Sequence, residues 1–163
     1  MFIQKVKFHV IAKIQTLILK VLYGERFVIG KKTTWRKRFS VMLGDNAHII
    51  IGEKCFFNND CSLNALGTLS IGDGTILGEN VKIYDHNHKF ADLSTDIKTQ
   101  GYSIENIEIG RHCWIGSNVV ILKGAKIGDN CVIGSGTVVN FKIENNTVVR
   151  NIGNYSMEKI KKS

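Results

Sequence analysis

The chain has 163 residues, a length that fits one domain with its own core. Its 22 Lys and Arg against 14 Asp and Glu give a net charge of +8, so an anionic partner such as a phosphate-bearing substrate, a polyanion or a lipid surface is expected. Nucleic acid is not expected, because no aromatic stacking set or recognition motif accompanies the charge. The first twenty residues lack a bilayer-spanning apolar run and a secretory cleavage site, which predicts a cytoplasmic protein.

Residues 1–24 are predicted to form an amphipathic, basic helix. Apolar residues recur at helical spacing on one face, namely Ile3, Val6, Val10, Ile14, Leu17, Ile18 and Val21. Two uses of that face remain open. It packs on the repeat domain that follows or on a neighbouring subunit, or it makes peripheral contact with the inner face of the membrane, where lysines meet anionic lipid. Packing is favoured, because the end of a repeat domain needs a cap.

A six-residue repeat dominates the second half of the chain. Residues 109–138 divide into IGRHCW, IGSNVV, ILKGAK, IGDNCV and IGSGTV, each beginning with isoleucine. The fifth position is always small or modest in volume: Cys113, Val119, Ala125, Cys131 and Thr137. Neither a helix nor an ordinary strand gives this period, whereas a parallel β-helix does, with one strand and one corner per hexapeptide.

Glycine takes the second position in four of these five hexapeptides, which predicts tight corners with unusual backbone angles (Gly110, Gly116, Gly128 and Gly134). The repeat is recognisable from about Leu43 to Val139. We assign residues 25–149 to the β-helix and residues 150–163 to a C-terminal tail.

Four cysteines occupy the same small slot of their hexapeptides, at Cys55, Cys61, Cys113 and Cys131. We interpret them as core residues rather than metal ligands or disulfides. Cys113 and Cys131 are one coil apart if three hexapeptides make a coil, so they are expected to stack without a bond. This usage fits a reducing compartment.

The repeat fails between Ile83 and Ile109, which predicts an inserted loop at about residues 85–106. Asp85, His86 and His88 stand where the loop begins. A histidine at the end of a rigid strand is well placed to be a general base, because its unperturbed pKa lies near neutrality. On sequence chemistry alone, a solvated loop histidine without a role remains an equal alternative.

The repeats IGDNCVIGSGTVV, the histidine-bearing loop and the Trp-Ile-Gly-Ser step at residues 114–117 resemble the hexapeptide-repeat O-acetyltransferases, which include maltose, galactoside and colanic acid acetyltransferases. The resemblance covers roughly residues 43–149. It implies a left-handed parallel β-helix, a homotrimer, acetyl-CoA bound between adjacent subunits and no metal.

An ungapped comparison with this family implies the roles of five residues around the loop. His88 matches the catalytic general base. Asn58 matches an asparagine that lies one coil below the histidine and contacts the reacting groups. Asp60, Asp85 and His86 are expected to help bind the acceptor.

The same comparison places five residues along one wall of the CoA channel: Trp114, Ser117, Ser135, Asn140 and Phe141. The chain has no proline, whereas the family ends in a proline-rich segment. Contacts to the adenine and the 3′-phosphate therefore cannot be transferred, and Lys142, Arg150 and Lys159 are candidates by charge alone.

The resemblance implies acetyl transfer from acetyl-CoA to a sugar hydroxyl of a capsular or lipopolysaccharide glycan or its precursor. N-acetylation of an amino sugar on a nucleotide is the first alternative. A zinc enzyme like the gamma-type carbonic anhydrases would need His86, His88 and His112, whose spacing differs from that family's pattern. A non-catalytic scaffold is the remaining alternative.

Overall fold

The structure, a computed structural model, describes residues 2–150, with side chains from residue 8 onward. Within this range one α-helix, α1 (Phe2–Tyr23), precedes a 3-10 turn (Gly24–Arg26). The rest is built from short strands, apart from a second 3-10 turn (Ile97–Thr99).

Three sheets wrap around one interior. Each of the first five coils contributes one strand to each sheet in turn, and the last described coil contributes one strand to the first sheet and one to the second. The first sheet contains β1 (Phe27–Ile29), β4 (His48–Ile51), β7 (Thr68–Ile71), β12 (Ile107–Ile109), β15 (Lys126–Ile127) and β18 (Lys142–Ile143). The second contains β2 (Thr34–Trp35), β5 (Phe56–Phe57), β8 (Ile76–Leu77), β13 (Trp114–Ile115), β16 (Val132–Ile133) and β19 (Val148–Val149). The third contains β3 (Ser40–Leu43), β6 (Ser62–Ala65), β9 (Lys82–Tyr84), β14 (Val120–Leu122) and β17 (Val138–Val139). Outside these sheets, β10 (His86–His88) pairs antiparallel with β11 (Tyr102–Ile104).

Successive coils pair in parallel register. Ile109 lies beside Ile127, and the same 18-residue step separates Trp114 from its partner Val132. The predicted fold class, a left-handed parallel β-helix with an N-terminal helix and an extended loop, is confirmed.

The interior alternates large and small side chains as predicted. Ile115 and Ile121 are fully buried, and so is Val119 between them. All four cysteines are free and buried, which confirms their assignment to the core. Burial raises the pKa of the Cys61 thiol to about 11, because the thiolate would lose its hydration there.

The glycines of the second position have a different reason from the one predicted. Positive φ angles occur two residues later, at residues such as His112 and Asn130. Gly110 is required instead by close approach, since a Cβ there would lie 2.6 Å from the carbonyl carbon of Gly128 on the next coil. Backbone stacking of adjacent coils therefore selects these glycines.

The solenoid begins at Phe27, earlier than the recognisable repeat. In this first coil the Trp35 and Phe39 rings stack with centroids 4.6 Å apart, in place of the aliphatic residues of later coils. Gln15 of α1 covers them: its side chain accepts a hydrogen bond from the Trp35 indole and donates one to the Phe39 carbonyl, each 2.8 Å long. Helix α1 therefore caps the open end of the stack, which confirms the packing role.

The face of α1 that packs is not the predicted one. Ala12 and Leu19 are buried against the first coil, whereas Leu17 and Val21 of the predicted face are 65% and 78% exposed. The helix thus buries a narrow face that contains Ala12 and Leu19, with Gln15 and Thr16 half-buried beside them. Ile3 and Val6 lie outside the described side chains. Between residues 2 and 150 no helix is both long and apolar enough to cross a membrane.

The buried thiols should react very slowly with a thiol reagent at about pH 8. Enclosure of all four thiols, together with the raised pKa of Cys55, Cys61 and Cys113, predicts a rate at least about a hundredfold below that of the unfolded chain, where the ordinary thiol pKa is about 8.5. Thiol titration in buffer and in guanidinium chloride measures both rates. A Lys126→Cys variant, exposed on the first sheet, supplies one fast-reacting control thiol. Four fast thiols in the native wild-type protein would contradict the interior assignment.

Candidate active site

Asp85 anchors the point at which the loop leaves the coil. Its carboxylate is 0% exposed and accepts hydrogen bonds from the backbone N–H groups of Leu66 (2.9 Å) and Gly67 (2.7 Å) on the coil below. A buried carboxylate is stable only when its lone pairs are satisfied in this way. Asp85 was expected to bind the acceptor, but both its oxygens are occupied beneath the surface, so it cannot reach one.

His86 is held by the same carboxylate. Its Nδ1 donates to Asp85 Oδ1 over 2.9 Å, because a carboxylate can only accept. This bond fixes the direction of the ring and leaves Nε2 as the free nitrogen. The His86 side chain is only 13% exposed, so it is largely enclosed.

His88 lies two residues further along β10 and on the same side as His86. Both imidazoles contact the Tyr102 ring of β11, at centroid distances of 5.2 Å for His86 and 4.6 Å for His88. Unlike His86, His88 is exposed. The hairpin therefore presents one accessible imidazole above one anchored imidazole, with a tyrosine beside both.

The loop beyond the hairpin is folded on itself. Gln100 donates to the Asp92 carbonyl (2.8 Å), and the Asp92 carboxylate accepts from Ser94, which lowers the pKa of Asp92. The result is a cavity of about 780 Å³. Its lining includes His88, Lys89, Phe90, Thr99, Gln100 and Ser103. A volume of this size can hold a sugar-sized ligand.

The other end of the loop is also tied to the coil below. The Asn106 side-chain oxygen accepts from the Thr68 backbone N–H over 2.9 Å. Sequence reasoning missed Asn106 and Tyr102, because neither belongs to a hexapeptide or to a motif. Both residues come shortly before Ile107, where the coil resumes, and this position is the signal that could have identified them.

Asn58 lies at a different corner from the histidines. It follows β5, where the chain passes from the second to the third sheet, and its N–H donates to the Leu77 carbonyl one coil on. The histidines follow β9, where the chain leaves the third sheet for the first. Asn58 therefore belongs to the coil below that of His88 but lies at a different corner, so within one chain it does not lie beneath the histidine, contrary to what the family comparison implied. We call these corners the second–third edge and the third–first edge.

Asp60 lies on the second–third edge as well. Its Oδ2 is 2.6 Å from Nη2 of Arg38, and this ion pair lowers the pKa of the carboxyl. Its backbone carbonyl accepts from Lys82 Nζ over 2.6 Å. The side chain is partly exposed, so it remains accessible at this edge.

The residues predicted to line the CoA channel divide between both edges. Ser117 and Ser135 follow β13 and β16 on the second–third edge, near Trp114, which projects outward from the second sheet and is 56% exposed. Asn140 and Phe141 follow β17 on the third–first edge. One chain therefore does not place all five along one wall.

Lys142, Arg150 and His112 all lie within the described part of the chain. Lys142 pairs with Glu144 over 2.8 Å, which raises the pKa of the lysine, and Arg150 is exposed at the end of the described chain. Lys159 lies outside it. His112 belongs to the corner after β12, and among the side chains described no group of three His, Cys, Asp or Glu converges on a point that could hold a metal ion.

Known proteins share this fold and part of this sequence. The family profile described as bacterial transferase hexapeptide (six repeats) matches residues 106–141. The galactoside O-acetyltransferase of Escherichia coli K12 is 35% identical over 152 residues, which cover 85% of this chain and 73% of the relative. The chain belongs to the hexapeptide-repeat acetyltransferase family. The chain spans only 35% and 49% of the lengths of two other curated relatives, from Mycobacterium tuberculosis and Schizosaccharomyces pombe.

Solved structures agree with this assignment. A maltose O-acetyltransferase from Clostridium difficile 630 superposes with a TM-score of 0.61 at 32% identity, covering 79% of this chain and 67% of that one. A hexapeptide-repeat acetyltransferase from Vibrio cholerae, solved with acetyl coenzyme A, has a TM-score of 0.68 at 24% identity, covering 82% and 69%. The second likeness concerns the fold alone.

Replacing Asp85 with asparagine should destabilise the fold. An amide has one acceptor oxygen and adds two donors, so it cannot satisfy Leu66, Gly67 and His86 together, and hydrogen bonds to a charged group are worth about 1.5–3 kcal/mol. Urea unfolding measures the loss. Asp92→Asn, in the exposed part of the loop, is the matched control and should lose much less. Equal stability of wild type and Asp85→Asn would refute the anchoring role.

Proposed function

We propose that this protein transfers an acetyl group from acetyl-CoA to a sugar hydroxyl of a capsular or lipopolysaccharide glycan or its precursor, with His88 as the general base. The observation that carries the proposal is the position of His88. It is the accessible imidazole at a cavity built by an inserted loop, in a chain of the hexapeptide-repeat acetyltransferase family. A proton acceptor must come within hydrogen-bond reach of its substrate, which favours an exposed ring over an enclosed one.

In the proposed reaction His88 accepts the proton of the acceptor hydroxyl while its oxygen attacks the thioester carbonyl. Collapse of the tetrahedral species breaks the carbon–sulfur bond, and the proton passes from the imidazolium to the CoA sulfur. The products are the acetyl ester and free CoA thiol. General-base assistance of this kind contributes about 10² to 10⁴ in rate. The buried cysteines supply no nucleophile, so transfer is direct.

The cavity supports a sugar acceptor. The Ser103 hydroxyl can both donate and accept, as sugar hydroxyls do, the Thr99 hydroxyl, which donates to the Asp96 carbonyl, can still accept, and the exposed Phe90 offers an apolar surface. Lys89 adds a positive charge suited to an acidic glycan. The galactoside and maltose O-acetyltransferases among the relatives are named for sugar acceptors, which agrees with this reading.

A donor site between subunits would explain why the residues predicted to line the CoA channel lie on two different edges of one chain. Ser117 and Ser135 on one edge and Asn140 and Phe141 on the other border the same third sheet. If this sheet faces a threefold axis, the second–third edge of one subunit meets the third–first edge of its neighbour. Such a heterologous contact closes after three subunits. We therefore propose a homotrimer, with Asn58 contributed to the reacting groups across the interface and acetyl-CoA bound in the groove.

His88→Ala should lower kcat at least about a hundredfold, because only the base aimed at the hydroxyl lowers the barrier directly. His86→Ala should do less, mainly raising KM for the acceptor, since the anchored and largely enclosed His86 ring supports the hairpin that carries His88. Release of free CoA thiol, followed over a panel of neutral, acidic and amino sugars, measures both variants. Circular dichroism checks folding. Near-normal kcat in His88→Ala with collapse in His86→Ala would move the base to His86, and preference for an amino sugar would indicate N-acetylation.

Mixed trimers should regain activity lost in two single variants. Asn58→Ala and His88→Ala are each expected to be nearly inactive, because each removes one half of the proposed site. When the two chains assemble at random in equal amounts, about a quarter of the sites combine an intact Asn58 edge with an intact His88 edge. Thiol release from coexpressed and purified mixtures measures the recovery. A mixture as inactive as its components would show that one subunit supplies both residues.

A further inference from the structure

Helix α1 carries an apolar face that the solenoid does not cover. Its exposed side chains are Val10, Ile11, Ile14, Leu17, Ile18, Val21 and Leu22, and six of the seven are more than half exposed. They form a continuous stripe along three turns, because they repeat every three or four residues. We call these seven residues the outer face. Soluble proteins seldom expose an apolar patch of this extent unless it meets a partner or a membrane.

Positive charge lines one border of the outer face. Lys13 and Lys20 follow that border along the helix, and both also line a groove of about 470 Å³ between α1 and the first coil. Lys31 and Lys32 of the first coil form the opposite wall of the same groove. Between residues 8 and 150, no carboxylate forms an ion pair with any of these four lysines.

We propose that the outer face and the lysine groove together dock this protein on an anionic bilayer surface. The helix would lie in the plane of the interface with its apolar side chains among the upper acyl chains, and the four lysines would stand at the level of the lipid phosphates. Charge complementarity selects this occupant. The segment from Phe2 to Tyr23 contains no acidic residue, so it carries the composition of a basic, membrane-surface helix.

A second copy of this chain is the competing occupant. Joining two outer faces would bring the lysine borders of two helices together without any carboxylate of α1 to neutralise them. A bilayer containing phosphatidylglycerol supplies that negative charge in quantity. The proposal does not depend on acetyl transfer, since neither the outer face nor the groove belongs to the proposed active site.

Vesicle sedimentation of the full chain tests the docking. Wild-type protein should bind vesicles that contain roughly a third phosphatidylglycerol, and binding should fall at least about fivefold on pure phosphatidylcholine or in high salt. Leu17→Gln/Val21→Gln should lower the partition coefficient at least about tenfold, because two exposed apolar side chains no longer enter the bilayer. Lys31→Gln/Lys32→Gln should lower binding to anionic vesicles while leaving the helix unchanged.

The matched control is Ile50→Gln/Val148→Gln, which removes two exposed apolar side chains from the outside of the solenoid and should bind like wild type. Circular dichroism and light scattering establish the fold and the mass of every variant. Absence of wild-type binding to anionic vesicles, or equal binding by Leu17→Gln/Val21→Gln, overturns the proposal. A loss of mass in Leu17→Gln/Val21→Gln with unchanged vesicle binding assigns the outer face to contacts between copies.

Discussion

Each coil of this protein depends on its neighbours for its backbone hydrogen bonds. The backbone N–H of Ile76 donates to the Cys113 carbonyl on the next coil, and the backbone N–H of Trp114 donates to the Cys131 carbonyl on the coil after that. A coil on its own would therefore leave these backbone groups without hydrogen-bond partners. This dependence fixes the register. The register in turn decides which positions point inward, why cysteine suits them, and why a Cβ at Gly110 would strike the coil above.

The same stacking gives the candidate site its rigidity. A loop of about twenty residues would be free to move if it were held only at its covalent ends, since loops make few contacts with the body of a protein. Here Asp85 and Asn106 fasten both ends to backbone groups of the coil below, and Tyr102 braces the two imidazoles. The orientation of the two imidazoles is therefore a property of the scaffold, and it does not require a ligand to order the loop on binding.

Much of the architecture follows from local sequence, because each hexapeptide reports the same packing rule. The interior residues, the free cysteines and the position of the loop could be read in this way. The first coil could not be predicted from the sequence, because Trp35 and Phe39 fill its interior with aromatic side chains. Its residues also pair with residues 22 positions further along the chain, and this longer step hides the six-residue period. The packed face of α1 also escaped prediction. Hydrophobic periodicity identifies an apolar face but not the partner of that face. Here the face that packs carries Gln15, whose side chain bonds the Phe39 carbonyl and the Trp35 indole.

Placement of the site residues shows a second limit. The comparison with the family implied that Asn58 lies beneath His88, but a solenoid with three edges converts residue number into angle around the axis as well as height along it. When a residue is assigned to the wrong strand of a coil, its side chain lies on another edge of the solenoid although its height along the axis hardly differs. Site assignments in repeat proteins therefore need the corner of each residue as well as its coil.

The loop enters and leaves between two adjacent coils without disturbing their contact. Leu69 lies directly beside Ile107 although 38 residues separate them, and β7 and β12 pair as closely as strands joined by an uninterrupted coil. The insertion is thus energetically separable from the stack, provided that an acidic side chain and an amide remain at its two ends. A different loop grafted between those two anchors would inherit a finished scaffold, so a new cavity can arise here through exchange of one segment rather than redesign of the core.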